Sequence, residues 1–274
     1  MGAVKAARAW NEARFCAILD LMAERNKCLQ AIILSLKEAG DKAQQVKVLC
    51  PTRGVFSATL WGGGKSRLKQ LVQPFYSGDL YIYEKTSGQP SSSPTIKDFD
   101  AKVFRPSLRE NLDKTLVCWA ACELVAATEC AGEAERAYKL LLAFLDGIEA
   151  TASQGARSSL LRFLRRYSSL LGLARSAASC TICGTPLSDV AFVWQQEEGF
   201  LCPSCAATKG SELHMLSTEA LSYLRAVDEA APAVSRKTPL SPQARGELED
   251  VLFDQAARAA GRPLKALDAV RGVH

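Results

Sequence analysis

The sequence is poor in histidine, and this shortage limits the chemistry that the chain can support. Its 274 residues include two histidines, His214 and His274. The short motifs of α/β-hydrolases, zinc proteases and Rossmann dinucleotide-binding domains are all missing. With so little imidazole for acid–base catalysis, we expect a protein that is not an enzyme.

Long apolar runs are also missing, since none approaches the ~20 residues that a membrane span needs. The N-terminal apolar stretch is interrupted by Glu12 and Asp20, which does not fit a secretory signal. These features predict a cytoplasmic protein with no membrane partner.

Six of the ten cysteines are scattered through apolar patterns, and we expect them to be reduced core residues. They are Cys16, Cys28, Cys50, Cys118, Cys122 and Cys130.

Acidic residues are absent from two stretches of a chain whose net charge is only +5. The first, 42–78, carries Lys42, Lys47, Arg53, Lys65, Arg67 and Lys69. The second, 150–188, carries Arg157, Arg162, Arg165, Arg166 and Arg175. Segregated positive charge favours a polyanionic partner, most simply nucleic acid. The alternative is a solvated basic surface with no partner.

Turn residues and residue periodicity divide the chain into an N-terminal extension and two domains. Residues 1–26 are an extension with a helical pattern at 6–26, which is either a packed extra helix or a gene-start artefact that precedes a true start at Met22. Five short strands follow, at 29–36, 44–50, 55–61, 78–84 and 96–104. Their spacing fits a small closed barrel over 27–105, although an SH3-like barrel or a meander fits almost as well.

Helical periodicity replaces the strand pattern over 106–274. Ser107 and Glu110 have the spacing of a capping box, which predicts a helix start there. A later helix, 156–173, carries Arg162, Arg165 and Arg166 away from its apolar face, on the expected surface. Ser241 before Pro242 predicts an N-cap with proline at the first helical position. The fold class is therefore α+β and multi-domain, with the barrel first and an all-α domain second.

Four cysteines inserted in the helical part form the most specific local signal. Cys180 and Cys183 form one Cys-x-x-Cys pair, and Cys202 and Cys205 form another after 18 residues. This spacing is typical of a four-thiolate zinc site. Because all four coordination positions can be cysteine, we expect a structural Zn²⁺ in a zinc finger at 180–205. Residues 191–202 between the pairs are expected to form a hairpin.

The stretch Trp61–Leu68, "WGGGKSRL", contains the Gly-Lys-Ser of a P-loop. A P-loop needs glycine where Thr59 stands and a long helix afterwards, whereas Pro74 follows within about two turns. We interpret the stretch instead as a barrel loop whose Lys65 and Arg67 face a phosphate backbone. Trp61 is expected either to stack on a base or, as we slightly favour, to lie in the barrel core.

The same residues resemble a known family, the recombination mediators of the RecO type. The resemblance runs from about Leu29 to the C-terminus. It rests on "QAIILSLKEAGDKAQQVKVLCPTRGVFSA", on "KSRLKQLVQPF", on "CTICG…LCPSC" and on "GRPLKAL", which occur in the family's order. The chain departs from the family in its extension, and in having Trp61 and three glycines where more basic residues are usual.

The resemblance implies an N-terminal OB fold and a helical domain with a zinc finger. It implies binding of single- and double-stranded DNA, annealing of complementary strands, and help in loading RecA on strands coated by single-strand-binding protein. The implied partners are RecR and the acidic C-terminal tail of single-strand-binding protein, and the implied location is the cytoplasm, in association with the nucleoid.

Three hypotheses follow for the function. The first is a DNA-binding mediator whose phosphate contacts are Lys47, Arg53, Lys65, Arg67 and Lys69, with Arg162, Arg165 and Arg166 facing DNA or the acidic tail. The second is a zinc-containing adaptor that binds a protein partner, with incidental DNA binding. The third, a nucleotide-dependent enzyme, is disfavoured by Thr59.

Overall fold

The structure, a computed structural model, describes residues 26–40, 42–62, 66–84, 93–152, 155–194, 199–209 and 213–272. The chain divides into two compact units, Met1–Phe104 and Arg105–His274. The expected N-terminal helix, Cys16, Lys65 and His274 lie outside the described residues.

The first unit is a closed five-stranded barrel. Its strands are β1 (Asn26–Glu38), β2 (Ala43–Cys50), β3 (Gly54–Trp61), β4 (Ser77–Tyr83) and β5 (Thr95–Val103). The strand order is β1-β2-β3-β5-β4, and a short helix, α1 (Arg67–Leu71), lies between β3 and β4 in the chain. A five-stranded barrel of this kind is an OB fold. The expected fold class is confirmed for this part of the chain.

The barrel closes because β1 is long enough to pair on both sides. Its first half pairs antiparallel with β4, and its second half pairs antiparallel with β2. The other join is parallel, where Thr59 of β3 faces Thr95 of β5. Gly78 is required where β4 meets β5, since a Cβ there would lie 2.1 Å from the carbonyl oxygen of Asp100.

Strict alternation along β3 decides which side chains form the barrel core. Phe56, Ala58 and Leu60 point inward and are buried, together with Val46, Val48, Leu80, Ile82 and Phe99 of other strands. Trp61 has the opposite parity and is 59% exposed. Our slight preference for Trp61 as a core residue was therefore wrong, because a strand sends alternate side chains to opposite faces.

The second unit is helical. Its helices are α2 (Ser107–Glu110), α3 (Leu112–Thr128), α4 (Ala134–Ala150), α5 (Ala156–Leu170), α6 (Pro203–Ala206), α7 (Thr218–Glu229), α8 (Pro232–Ser235), α9 (Pro242–Ala259) and α10 (Lys265–Gly272). Helix α3 packs against α4, α5 and α10 and buries eight of its residues.

By length and composition alone, Leu112–Gly132 could cross a membrane, which corrects the expectation that no apolar run is long enough. Its packing is that of a core helix of this unit.

The expected capping box at Ser107 and Glu110 was wrong. The Ser107 hydroxyl donates to the Glu149 carboxylate at 2.7 Å and does not cap a helix. Asn111 caps α3 instead, since its Oδ1 accepts the backbone N–H of Lys114 at 3.0 Å. The N-cap at Ser241 is confirmed, because its side chain accepts the backbone N–H of Ala244 and Pro242 follows it.

A small antiparallel sheet lies within the helical unit. Its strands are β6 (Ala191–Trp194), β7 (Gly199–Leu201) and β8 (Leu213–Leu216), in the order β7-β6-β8. The pairing of β6 with β7 confirms the expected hairpin. The third strand, β8, was missed, because four residues between two helices give little periodic signal.

Candidate nucleic-acid interface and metal centre

The four cysteines of the two Cys-x-x-Cys pairs meet at one point. Their Sγ atoms all lie within 4.8 Å of one another. The Sγ atoms of Cys183 and Cys202 are 3.8 Å apart. A tetrahedral metal site with metal–sulfur bonds of ~2.3 Å requires sulfur–sulfur distances of about 3.8 Å. The quartet therefore has the size of a single four-thiolate metal site.

Local backbone geometry builds this quartet from the sequence. Gly184 adopts φ +73°, which lets the chain turn back directly after Cys183. Cys202 is the N-cap residue of α6, Pro203 takes the first helical position, and Cys205 lies within the first turn. Each pair of sulfurs thus converges on the same point.

The thiols are unequally acidic because they share one site. Burial opposes ionisation of Cys180, but backbone N–H groups of Cys183 and Cys202 donate to its sulfur and lower its pKa to about 6. The hydrogen bonds of Cys205 with the Cys183 and Cys202 side chains raise the Cys205 pKa to about 12. Metal binding must displace the protons of such a cluster. The chemistry of the donors and their geometry both fit a bound metal ion.

His214 lies on β8 and is not part of the metal group among the described residues. Its Nε2 is 3.7 Å from the carboxylate of Asp254 on α9. His214 is therefore a partly exposed residue beside α9 and not a member of the cysteine group.

Of the six scattered cysteines, Cys50, Cys118, Cys122 and Cys130 are buried and free. Burial raises the pKa of Cys122 to about 12 and that of Cys130 to about 11, so both thiols stay protonated. Cys28 is exposed on β1, which corrects its assignment to the core.

The outward residues of β2 and β3 form a surface that we call the β2–β3 face. Lys47 lies opposite Ser57, Gln45 lies opposite Thr59, and Trp61 ends the row. At about 3.3 Å per residue, β3 extends this face over roughly 23 Å, which is long enough for a few nucleotides. The face combines a cation, hydroxyl groups and an exposed aromatic ring.

Other barrel strands carry negative charge outward. Asp79 on β4 lies opposite Asp100 on β5, and Tyr81 lies opposite Asp98. Lys102 forms an ion pair with Asp100 and lies 3.7 Å from Asp79. The outer surface of the barrel is therefore polarised, with the expected phosphate contact Lys47 away from these carboxylates.

Of the other described barrel residues predicted to contact phosphate, Arg67 lines a cavity of about 580 Å³ with Tyr81, Asp98 and Asp100, so it lies beside carboxylates of β5. Arg67 and Lys69 are on α1, which follows Trp61 and has only five residues. Arg67 is exposed and makes no ion pair or hydrogen bond with residues that the structure describes. Arg53 lies in the turn after β2, at the other end of the β2–β3 hairpin from Trp61, where it forms an ion pair with Glu84. The structure thus brings Arg67 and Lys69 together and separates them from Arg53.

The three arginines of α5 have defined partners, which their sequence pattern did not reveal. Arg165 is buried with its side chain 2% exposed, which corrects the expectation that it lies on the surface. It donates to both carboxylate oxygens of Asp228, at 2.7 and 2.6 Å, and to the carbonyl of Arg175. Its contact with DNA or an acidic tail remains an untested prediction.

The other two α5 arginines are half-buried. Arg162 donates to the Tyr223 hydroxyl at 2.9 Å, and Arg166 donates to the Ser235 hydroxyl at 2.8 Å. Burial, together with the charges of Arg162 and Arg236, lowers the pKa of Arg166. Positive charge is therefore concentrated where α4, α5 and α8 meet.

Two adjoining cavities open at this place, and sequence reasoning missed them. The first, which we call the arginine cavity, has a volume of about 620 Å³ and is lined by Arg136, Arg165, Arg166 and Arg175, with Asp228 beside Arg165. The second, the apolar slot, has a volume of about 110 Å³ and is lined by Leu140, Phe144 and Phe163, with Arg162, Arg166 and Arg236 around it. No local motif could have predicted cavities that are lined by residues of α4, α5, α7 and α8.

The fold and the site define a class of protein, one with an OB-fold barrel and a helical domain that contains a four-cysteine metal module. Residues 109–268 match the family model described as "Recombination protein O C terminal". The chain is 30% identical over 207 residues to "DNA repair protein RecO" of Solidesulfovibrio magneticus (strain ATCC 700980 / DSM 13731 / RS-1), covering 74% of this chain and 82% of that protein. It is 28% identical over 222 residues to "DNA repair protein RecO" of Oleidesulfovibrio alaskensis (strain ATCC BAA-1058 / DSM 17464 / G20), covering 78% and 86% respectively.

The chain belongs to the RecO family. Its role therefore lies in DNA repair and recombination, and its interactions are DNA-related. Members of the family are recombination mediators rather than known enzymes, and a DNA repair protein of this kind is soluble and cytoplasmic.

Proposed function

We propose that this protein is a recombination mediator that binds single- and double-stranded DNA and anneals complementary single strands. It also assists the loading of RecA on DNA coated by single-strand-binding protein, in association with the nucleoid. The observation that carries the proposal is the polarised barrel, in which Lys47 and Trp61 share the β2–β3 face while Asp79, Asp98 and Asp100 lie on other strands. The protein acts without catalysing bond cleavage.

In this proposal residues 27–105 form the DNA-binding domain and residues 106–274 form the helical domain. Lys47, Arg53, Lys65, Arg67 and Lys69 contact phosphates, which supply affinity without reading sequence. Trp61 stacks on an unpaired base, as exposed aromatic residues do in proteins that bind single strands.

The metal in the cysteine quartet is proposed to be Zn²⁺ with a structural role. Four thiolates in a site of tetrahedral size match the softness and geometry that zinc prefers. With all four positions filled by cysteine, no open position remains for a substrate.

The arginine cavity and the apolar slot are proposed to receive the acidic C-terminal tail of single-strand-binding protein. An acidic peptide needs cations for its carboxylates, and an apolar side chain needs a dry recess beside them. The two cavities share Leu140 and Arg166 and so offer both features side by side. RecR is a further proposed partner, without an assigned surface.

The test of DNA binding is the salt dependence of affinity for a labelled single strand. Lys47→Gln should weaken binding and flatten the slope of log affinity against log salt by about 0.7, since one phosphate contact is lost. Lys97→Gln is the matched control, because Lys97 is a barrel lysine that lies over the Tyr83 ring. An affinity that does not change between low and high salt would contradict this mode of binding.

The mediator activity is tested by strand annealing with and without single-strand-binding protein. Arg236→Gln should weaken binding of the tail peptide while leaving DNA affinity unchanged, whereas Lys139→Gln, an exposed lysine of α4, should change neither. Loss of DNA affinity in Arg236→Gln would instead assign these cavities to DNA.

The second candidate function is the protein-interaction adaptor, which is favoured by the same two cavities. It predicts that Lys47→Gln weakens DNA binding without any loss of repair. Repair that fails in parallel with DNA binding would exclude it.

A further inference from the structure

One carboxylate, Glu84, holds two cations at one end of the barrel. It follows β4 directly, and its Oε2 lies 2.6 Å from the Nζ of Lys27 on β1. Its Oε1 accepts a hydrogen bond from Arg53, in the turn between β2 and β3. Glu84 therefore neutralises part of the positive charge that the acid-free stretch 42–78 suggested, although it lies outside that stretch in sequence.

The contact holds Arg53 in a defined place. The guanidinium carbon of Arg53 lies 4.5 Å from the centre of the Phe56 ring, while its Nη1 reaches Glu84. Hydrogen bonds from Lys27 and then from Arg53 lower the pKa of Glu84, so this carboxylate is ionised at neutral pH. Three charges, two positive and one negative, thus sit together at the turn.

The contact is nevertheless open to exchange. The side chains of Lys27, Arg53 and Glu84 are 49%, 36% and 27% exposed, so water and salt screen their attraction. A DNA phosphate offers an arginine the same charge-assisted and bidentate hydrogen bonds that a carboxylate offers. A phosphate can therefore take the place of Glu84 without leaving Arg53 uncompensated.

We infer that Glu84 is an internal competitor for DNA phosphate, bound to Arg53 and Lys27 in the free protein and exchanged for phosphate when DNA binds. This inference rests on the proposed function. Glu84 lowers the affinity for DNA, because the contact must break before Arg53 engages a phosphate. It also flattens the salt dependence, because salt that weakens the contact with phosphate also weakens the exposed Glu84 ion pairs that must break first.

The experiment measures the affinity of the full chain for an oligothymidylate at several salt concentrations. Glu84→Gln keeps the size of the side chain and removes its charge. We expect about two- to fivefold tighter binding at low salt, the range of a solvent-exposed ion pair. The slope should steepen by less than about 0.7, because both proteins make the same phosphate contacts and the variant only lacks an ion pair that salt screens.

Two further variants make the result specific. Glu38→Gln is the matched control, because Glu38 is another exposed barrel glutamate whose described partner is the Gln44 amide rather than a cation. It should leave affinity and slope unchanged. Combining Glu84→Gln with Arg53→Gln should remove most of the gain. Unchanged or weaker binding by a folded Glu84→Gln protein would overturn the inference.

The same measurements separate this inference from the proposed function. If Lys47→Gln weakens binding while Glu84→Gln has no effect, DNA binding through the barrel stands and Glu84 is only a surface ion-pair residue. If neither variant changes binding, the barrel is not the DNA site and both ideas fail.

Discussion

The two acid-free basic stretches of the sequence have different structural roles. In the barrel, Arg67 is exposed and makes no ion pair with any residue that the structure describes. In the helical unit, Arg165 is buried against Asp228, and Arg157 lies 3.6 Å from the carboxylate of Glu249. Basic residues of one stretch thus include an exposed arginine in the barrel, whereas those of the other stretch form ion pairs within the helical unit.

The difference teaches that absence of nearby acids in sequence does not mean absence of acids in space. Asp228 is 63 residues from Arg165, and Glu84 is 31 residues from Arg53. Helices bring distant segments together along their whole length, so their arginines meet carboxylates from other helices. Outward side chains of a small barrel have fewer such neighbours, although Arg53 and Lys102 still pair with carboxylates of the barrel.

Loss of the metal should have the largest effect on stability. It should destabilise the helical unit and leave the stability of the barrel unchanged. Cys202→Ser removes one of four thiolates, and we expect loss of bound metal and a helical unit less stable by on the order of 5 kcal/mol, because structural zinc supplies folding energy. Metal content by mass spectrometry and urea unfolding measure this. Cys28→Ser, at the exposed barrel cysteine, should change neither. Equal loss of barrel stability would contradict the division into independent units.

Arg165→Met should destabilise the helical unit by about 2–3 kcal/mol. A buried pair that loses one partner leaves the other uncompensated, and the 28% exposure of the Asp228 side chain moderates the cost. Denaturant unfolding measures the change, and Arg175→Gln, at an exposed arginine, is the control. An unchanged stability combined with weaker DNA binding would instead make Arg165 a DNA contact and remove the contrast between the units.

Trp61→Ala should weaken binding of single-stranded DNA by about 1–3 kcal/mol, the range of one base–aromatic stack. Since Trp61 is 59% exposed, the stability of the barrel should change little. Fluorescence anisotropy and thermal melting measure the two quantities. Tyr81→Ala is the comparison variant, because Tyr81 is an exposed aromatic residue beside Asp98, in a cavity that Arg67 also lines. Equal losses in both variants would show that the barrel surface is not functionally polarised.

The smallest expected effect is a pH dependence in the helical unit. Burial raises the pKa of Glu249 above its ordinary value, although the Arg157 charge opposes the shift. The folded state therefore keeps a proton that the unfolded state has lost, and the stability of the wild type falls as pH rises through the window above about 4.3.

Glu249→Gln has no such titration, so its stability relative to the wild type should rise by less than about 1 kcal/mol between pH 4 and pH 7. Unfolding curves at a series of pH values measure this, with Glu229→Gln as the exposed control. A relative stability that falls over the same range would mean that Arg157 outweighs burial.

The sequence by itself determined the features that depend on local pattern. The barrel strands follow from alternating apolar residues, and the metal module follows from two turns that each place a pair of sulfurs together. The exposure of Trp61 was also within reach, because Phe56, Ala58 and Leu60 fix the parity of β3.

Only the tertiary structure decided the use of the charges. An arginine is either exposed to a partner or paired within the protein. Which of the two applies depends on the distant carboxylate that the fold brings beside it, as with Arg165 and Asp228 or Arg53 and Glu84. The role of Ser107 has the same cause, because its hydroxyl is engaged by Glu149 from another helix and does not cap a helix. The periodicity of apolar residues indicates which side chains of one helix or strand are buried. These contacts instead join residues that are 31 to 63 positions apart in the sequence.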